Sequence, residues 1–359
     1  MARIDTAELG VFLPIGNGGW IISTNSPREG GSYDHNVKAA QIAEEAGFDF
    51  VMTMAKWRGY DGATDHWGET LESVTMMAGI AQATERVGVY ATVHSILFHP
   101  AVVAKMFATL DQISHGRAGM NIVTGAYPDE FIQMGMWDEE LGHDGRYRYT
   151  EEWLELILRL WEEDSVDHEG EFFHLRDCRS RPHPSVRPRL ICAGQSEIGL
   201  DFTTSHCDVA FVSGRDREEL RRNTGNARAK AEAKGREVKT ASMLMIVMDD
   251  TDADAEARVR HYKDGVDWAA IENMAKRYGV AWDGKLSGMA AKPAANEGFM
   301  NDPVVGSPDT ILERIEEVLV GGDLDGLMLL FPDYHADLQA FGEAVMPRLK
   351  AGRAAAAVA

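Results

Sequence analysis

Asn121 stands inside an apolar run, Met120-Asn121-Ile122-Val123, that closes on Thr124-Gly125. A buried amide carries donors and an acceptor that must find partners, so packing alone gives no reason for it there. Comparable runs end in polar groups of their own: Gly16-Asn17-Gly18-Gly19-Trp20, Met54-Ala55-Lys56, Thr92 with His94, and Gly194-Gln195-Ser196. An amide such as Asn121 suits recognition of an amide-bearing ring, and Thr92 and His94 are the neighbouring candidates for chemistry. Lys56 is as readily a solvated loop lysine as a ligand, and the glycines at 16, 18 and 19 read as a tight turn.

Phosphate binding is the second chemistry on offer. In Ile191-Cys192-Ala193-Gly194-Gln195-Ser196 a strand ends in glycine and a helix begins at Ser196, whose hydroxyl is a good N-cap. Free backbone N–H groups at such a start, with the positive end of the helix, bind phosphate. A cap that serves only its own helix is the competing reading. Arg146 with Tyr147, in Gly145-Arg146-Tyr147-Arg148-Tyr149 just ahead of another helix, supplies a second donor and favours a phosphate-bearing cofactor.

Other chemistries lack their usual signals. The twelve histidines are scattered, no H-E-x-x-H is present, and His174 and His183 are poorly spaced as ligands with Pro182 and Pro184 close by. Neither a G-x-S-x-G elbow nor a Walker A loop occurs. We expect no metal site.

Elements that must position these groups follow from periodicity. Strand candidates run over 9–13, 50–54, 87–93, 119–123, 190–193, 209–212, 243–248 and 327–331, with amphipathic helix-like stretches between them. Strand-helix repetition of this kind predicts a parallel sheet, and the number of units predicts closure into a (β/α)₈ barrel rather than an open doubly wound sheet. In such barrels the site lies at the carboxyl ends of the strands, where the polar groups above fall. The chain reads as one domain over 1–350, with insertions at about 171–188 and 283–303, the second a lid, and a disordered tail at 351–359.

With 45% hydrophobic and 26% charged residues the composition is that of a soluble globular chain. A net charge of −21 disfavours nucleic acid and anionic membranes as partners. The first residues lack the form of a signal peptide, and the three cysteines, Cys178, Cys192 and Cys207, form no C-x-x-C, so a cytoplasmic protein with reduced thiols is expected.

Several of these stretches, namely GVFLPIGNGGWIIST, AKWRG, MNIVTG, GRYRY and above all DCRSRPHPSVRPRLICAGQSEIG, resemble the bacterial-luciferase-like flavin monooxygenases, and within them the pyrimidine-oxygenase branch. The likeness runs from about Gly10 to the last helix. It implies a (β/α)₈ barrel with an inserted lid, FMN used as FMNH₂, and O₂, with NAD(P)H acting through a separate flavin reductase. By motif, Met54, Ala55 and Lys56 would lie at the isoalloxazine edge, with Asn121 beside the reactive flavin nitrogen. Glu130 matches the acid after the fourth strand, and Arg146, Tyr147, Gly194 and Ser196 the phosphate end. Thr92, Asn121 and Val123 would line an oxygen pocket, with Asn121, Thr92 and His94 as catalytic candidates.

The activity this implies is oxygenation and opening of a cyclic amide or pyrimidine-like ring through a flavin peroxide. Departures from the branch at Ala126-Tyr127-Pro128 and at His94 leave the substrate open between uracil, a larger cyclic amide and an organosulfur compound. A sulfone or alkanesulfonate monooxygenase and a deazaflavin-dependent oxidoreductase are the alternatives on the same barrel. A homo-oligomer, dimer or tetramer, is also expected. The methionines of Glu69–Gln82 could serve it, although a core-facing stripe is the commoner use.

Overall fold

The structure is a computed structural model, and it describes residues 6–125, 127–278 and 291–356. Its strands are β1 (Glu8–Leu13), β2 (Phe50–Thr53), β3 (Gly88–His94), β4 (Ala118–Val123), β5 (Val166–Glu169), β6 (His174–Cys178), β7 (Arg189–Cys192), β8 (Val209–Phe211), β9 (Lys239–Met248), β10 (Pro303–Gly306) and β11 (Gly326–Leu330). Nine of them form one sheet in the order β10-β9-β11-β1-β2-β3-β4-β7-β8, and a further pairing of β9 with β8 closes it. Setting aside β10, which runs beside the end of β9, eight parallel strands make the ring. The chain is a (β/α)₈ barrel, with the strands where the apolar runs place them.

Parallel strands are covered on both faces, which is why these runs are near-continuously apolar rather than alternating. β2, β3 and β11 are buried at every residue. Helices between them end where their sequences say: Tyr33–Ala46 stops at Gly47 in the left-handed region at φ 84°, and Pro308–Gly322 starts behind Ser307 with Pro308 in its first turn. Met76 and Met77 of the helix Ser73–Ala83 are buried, so that stripe is core.

Several local expectations change. The excursion over 171–188 holds one arm of an antiparallel hairpin, β5 with β6, and its irregular remainder is tied down by the buried Asp111 carboxylate, which accepts from Ser185 N at 2.5 Å and Ser185 Oγ at 2.7 Å. Of the segment expected as a lid, 283–290 lie outside the described residues, whereas 291–303 pack onto the barrel. Phe299 is fully buried, Met300 N donates to Trp20 O at 3.0 Å, and Ile22 N donates to Gly298 O at 2.8 Å. The helix Met346–Ala356 runs past the point where fraying was expected, and 357–359 are not described. Among the described residues no helix is long and apolar enough to cross a membrane.

Candidate active site

Four neighbouring strands, β2, β3, β4 and β7, carry the groups singled out in the sequence. Thr92 and Asn121 are register partners on β3 and β4. Asn121 Nδ2 donates to Thr92 Oγ1 at 3.0 Å, and the Thr92 hydroxyl in turn donates to the Thr53 carbonyl on β2. Below them Ser73 Oγ accepts from Thr92 N at 2.9 Å and lies 2.7 Å from Thr53 Oγ1. The amide is therefore held from one side, while its Oδ1, buried, has no hydrogen-bond partner. An orphaned buried acceptor is costly unless a ligand satisfies it. Val123 stands two residues beyond Asn121 on the same face and opposite His94.

Lys56, just past the end of β2, is no solvated loop lysine. Its Nζ is buried 3.1 Å from Glu130 Oε1, and lies 3.8 Å from the Tyr127 ring centroid and 4.6 Å from that of Tyr60. Aromatic faces and one carboxylate stand in for the water the ammonium has lost. Burial still dominates at both ends of the pair: it pulls Lys56 down to about 8 and pushes Glu130 above the usual carboxylate range, against their mutual attraction. Glu130 sits in the first turn of the short helix Pro128–Ile132, where it also accepts from Trp57 N at 2.8 Å. Trp57 continues the chain of contacts, its Nε1 donating to His94 Nδ1 at 3.3 Å. Met54 is buried and Ala55 half-buried beside this group.

Gly194 and Ser196 lie beyond the end of β7, next to β4. Ser196 caps the helix Glu197–His206, its Oγ accepting from Gly199 N at 3.2 Å. A side chain at 194 would meet the Gly199 carbonyl at 2.7 Å, so the turn needs glycine there to bring the strand end onto the helix start. Ser196 stays exposed, its Oγ 3.4 Å from His143 Nε2, and the Tyr147 side chain stands beside Ser196 and Thr124.

Arg146 and Tyr147 prove to be inside the helix Gly142–Glu162, not ahead of it. The polar opening turns carry no apolar period before Tyr147, which hid the true start. Helical geometry sends the two neighbours different ways. Tyr147 faces Ser196, while the Arg146 guanidinium lies 4.9 Å from the Trp137 ring in a cleft of about 600 Å³ that Lys276, Arg277 and Tyr278 also line. Arg146 Nε is buried without a partner.

The glycines after β1 make the expected turn, with Gly18 and Gly19 at positive φ, and Asn17, which the sequence left open, serves structure too. Asn17 Nδ2 donates to Asp65 O at 2.7 Å and its Oδ1 accepts from Glu69 N at 3.0 Å, pinning the loop after β2. Phe131 and Arg277 were not anticipated, and Tyr127 was marked only as part of a departure from the branch. Arg277 clamps two loops of the barrel mouth, bonding Gly59 O and Asp61 on one and Tyr127 OH, at 3.2 Å, on the other. A basic residue at a helix C-terminus is unremarkable in sequence, so nothing there marks it. The departure at Ala126 falls outside the described residues.

The orphaned Asn121 Oδ1, the buried cation at Lys56 and the open helix start at Ser196 fit a flat, amide-bearing ring with a phosphate tail. Sequence comparison agrees: the profile of the luciferase-like monooxygenases matches residues 7–323. The chain is 37% identical to the pyrimidine monooxygenase RutA of Methylorubrum extorquens, over 98% of this chain and 96% of that one. It is 36% identical to the RutA of Acinetobacter baylyi, over 95% and 94%. The EDTA monooxygenase EmoA of Chelativorans has the same fold, with a TM-score of 0.80 at 19% identity, covering 97% of this chain and 94% of that one. This chain belongs to the luciferase-like monooxygenase family. The activity that goes with that membership is flavin-dependent monooxygenation with reduced flavin and O₂.

Proposed function

We propose that this chain is the oxygenase of a two-component system in the cytoplasm, taking FMNH₂ from a separate NAD(P)H:flavin reductase and using O₂ to oxygenate and open a cyclic amide or pyrimidine-like ring. The observation that carries the reading is the unpartnered Asn121 Oδ1 beside Thr92 at the mouth of the barrel, in a chain similar along its whole length to pyrimidine monooxygenases. Neither the sulfone nor the deazaflavin alternative is favoured by those relatives.

Bound reduced flavin supplies the electrons and the activation of O₂. The protein's part is to bind, orient and keep water out. Asn121 Oδ1, left without a partner, would accept a hydrogen bond from the bound flavin, and Thr92 holds the amide that presents it. Ala55 and Lys56 would help to hold the flavin, and the Lys56 charge would favour the electron-rich reduced form. Ser196, Gly194 and Tyr147 hold the phosphate through a helix start, while Arg146 lines the separate cleft of Trp137 and Arg277. Trp57, Tyr127 and Phe131 cover the polar groups with apolar surface. Thr92, Asn121 and Val123 line the space left for O₂.

Uracil and reduced FMN under ¹⁸O₂ test the reading. A ring-opened product carrying ¹⁸O is expected. Reoxidation of the flavin to hydrogen peroxide, with no ¹⁸O in any ring-opened product from uracil or a panel of larger cyclic amides, would overturn it.

A further inference from the structure

His94 ends β3 two residues beyond Thr92, so the two side chains share a face of the strand. Its ring is buried, and Phe131 meets it edge-on with centroids 5.2 Å apart. The Trp57 indole donates to its Nδ1 at 3.3 Å. A neutral imidazole that accepts at Nδ1 carries its proton on Nε2. Burial first, and the Lys56 charge second, hold this ring down at about 3, so it is neutral wherever the enzyme works.

Trp57 is itself fixed at three points. Its N–H reaches Glu130 Oε1 at 2.8 Å, its carbonyl accepts from Gln133 Nε2 at 2.7 Å, and its indole binds His94. Glu130 is held by Lys56. A run of contacts from the buried ion pair thus sets the tautomer of one histidine at the barrel mouth, beside the Thr92–Asn121 pair. Packing alone asks only for bulk at this position. It does not ask for a fixed N–H donor.

We propose that His94 is a catalytic residue whose Nε2–H donates to the carbonyl oxygen of the substrate ring, which defines the substrate as a cyclic amide presenting that oxygen to β3. This rests on the ring-opening reading above. As an O₂-derived oxygen nucleophile bonds to the carbonyl carbon, the C=O π pair moves onto the oxygen, where the Nε2–H stabilises it. The pair returns as the C–N bond breaks and the nitrogen takes up a proton from solvent. His94 gives up no proton. Reduced flavin gives two electrons to O₂, which brings the nucleophile to the peroxide level and leaves the flavin oxidised, so the addition to carbon and the C–N cleavage themselves change no oxidation state. Trp57 is the positioning residue, acting through the tautomer.

The test uses uracil and photoreduced FMN with the full chain and its His94→Ala, His94→Gln and Trp57→Phe variants. His94→Ala should lower kcat for ring opening by about 10²–10³, with FMN affinity changed by less than about twofold. Part of the loss should return in His94→Gln, whose amide can donate from a similar place. Proton-coupled ¹⁵N spectra of the wild-type ring should show Nε2 protonated and Nδ1 bare from about pH 5 to about pH 9, and Trp57→Phe should show mixed tautomers. Wild-type kcat and KM in His94→Ala, or an Nδ1-protonated or charged ring in the spectra, would overturn the proposal and leave the ring-opening reading standing. Absence of ring opening by the wild type on every cyclic amide removes both. If His94→Ala does not fold, the spectra and the Trp57→Phe kinetics decide: a wild-type rate with mixed tautomers counts against the proposal.

Discussion

Asn121 and Thr92 face each other in register across β4 and β3, the amide nitrogen giving its hydrogen to the threonine oxygen at 3.0 Å while the amide oxygen is left buried and bare. One bond orients the side chain, and the other end is available to a ligand. The two ends of Asn121 therefore make separable predictions.

Asn121→Ala removes an orphaned acceptor along with one neutral hydrogen bond, two effects of opposite sign and about 1 kcal/mol each, so the melting temperature should barely change. Product formation should fall by about 10²–10³, with reduced flavin reoxidising to hydrogen peroxide instead. Asn121→Asp should fail as well, because a carboxylate there repels the negative charge that builds up on oxygen. Product yield per flavin oxidised reads both variants. Near wild-type yield from Asn121→Ala would make the residue structural.

Cofactor preference follows from the open helix start at Ser196. FMN should bind at least about tenfold more tightly than riboflavin, since charge-assisted phosphate bonds are worth roughly 1.5–3 kcal/mol each. Ser196→Ala should narrow that ratio and cost about 1 kcal/mol through the lost cap. Titrations of the flavin-free protein check this, and equal affinities for the two flavins would refute the phosphate assignment.

The pH dependence of flavin binding should report Lys56. Burial holds its pKa at about 8, below the ordinary 10.5, so the ammonium is lost as pH rises through about 8. FMN affinity should therefore decline above that pH, and Lys56→Arg should keep it flat to higher pH because guanidinium stays charged. A wild-type profile that is flat to pH 10 would show that the charge does not meet the flavin.

Stability should expose the same ion pair from its other end. Lys56→Met leaves Glu130 buried without its cation, which typically costs about 3–5 kcal/mol. Adding Glu130→Gln should restore most of it, because no charge is then buried. The single variant should also become acid-favoured. Burial already raises the Glu130 pKa above the ordinary 4.5 with Lys56 opposing it, and loss of Lys56 should raise it further, so the folded variant holds that proton more tightly and loses stability as pH climbs from about 4.5 through the raised value. Urea titrations at several pH values measure both, and equal stability of single and double variants at neutral pH would contradict the pairing.

The sequence by itself determined the eight strands of the ring and the barrel's repeat, because each of those strands is a local apolar run and helices such as Tyr33–Ala46 carry their own stop signals. It also marked Asn121, since an amide inside such a run is conspicuous wherever the chain goes, and Ser196, since a cap is a local device. What only the tertiary structure decided are the relations that join distant segments. Thr92 and Asn121 lie 29 residues apart and meet through strand register. Glu130 reaches back 73 residues to Trp57 and beside it to Lys56, making a buried cation of a residue that the sequence left open between solvated loop lysine and ligand. The clamp of Arg277 on Tyr127 spans 150 residues. Local periodicity reports which face of an element is apolar, not which element it will meet. Closure of the ring sets the neighbours, and through them the charge of Lys56 and the proton position on His94.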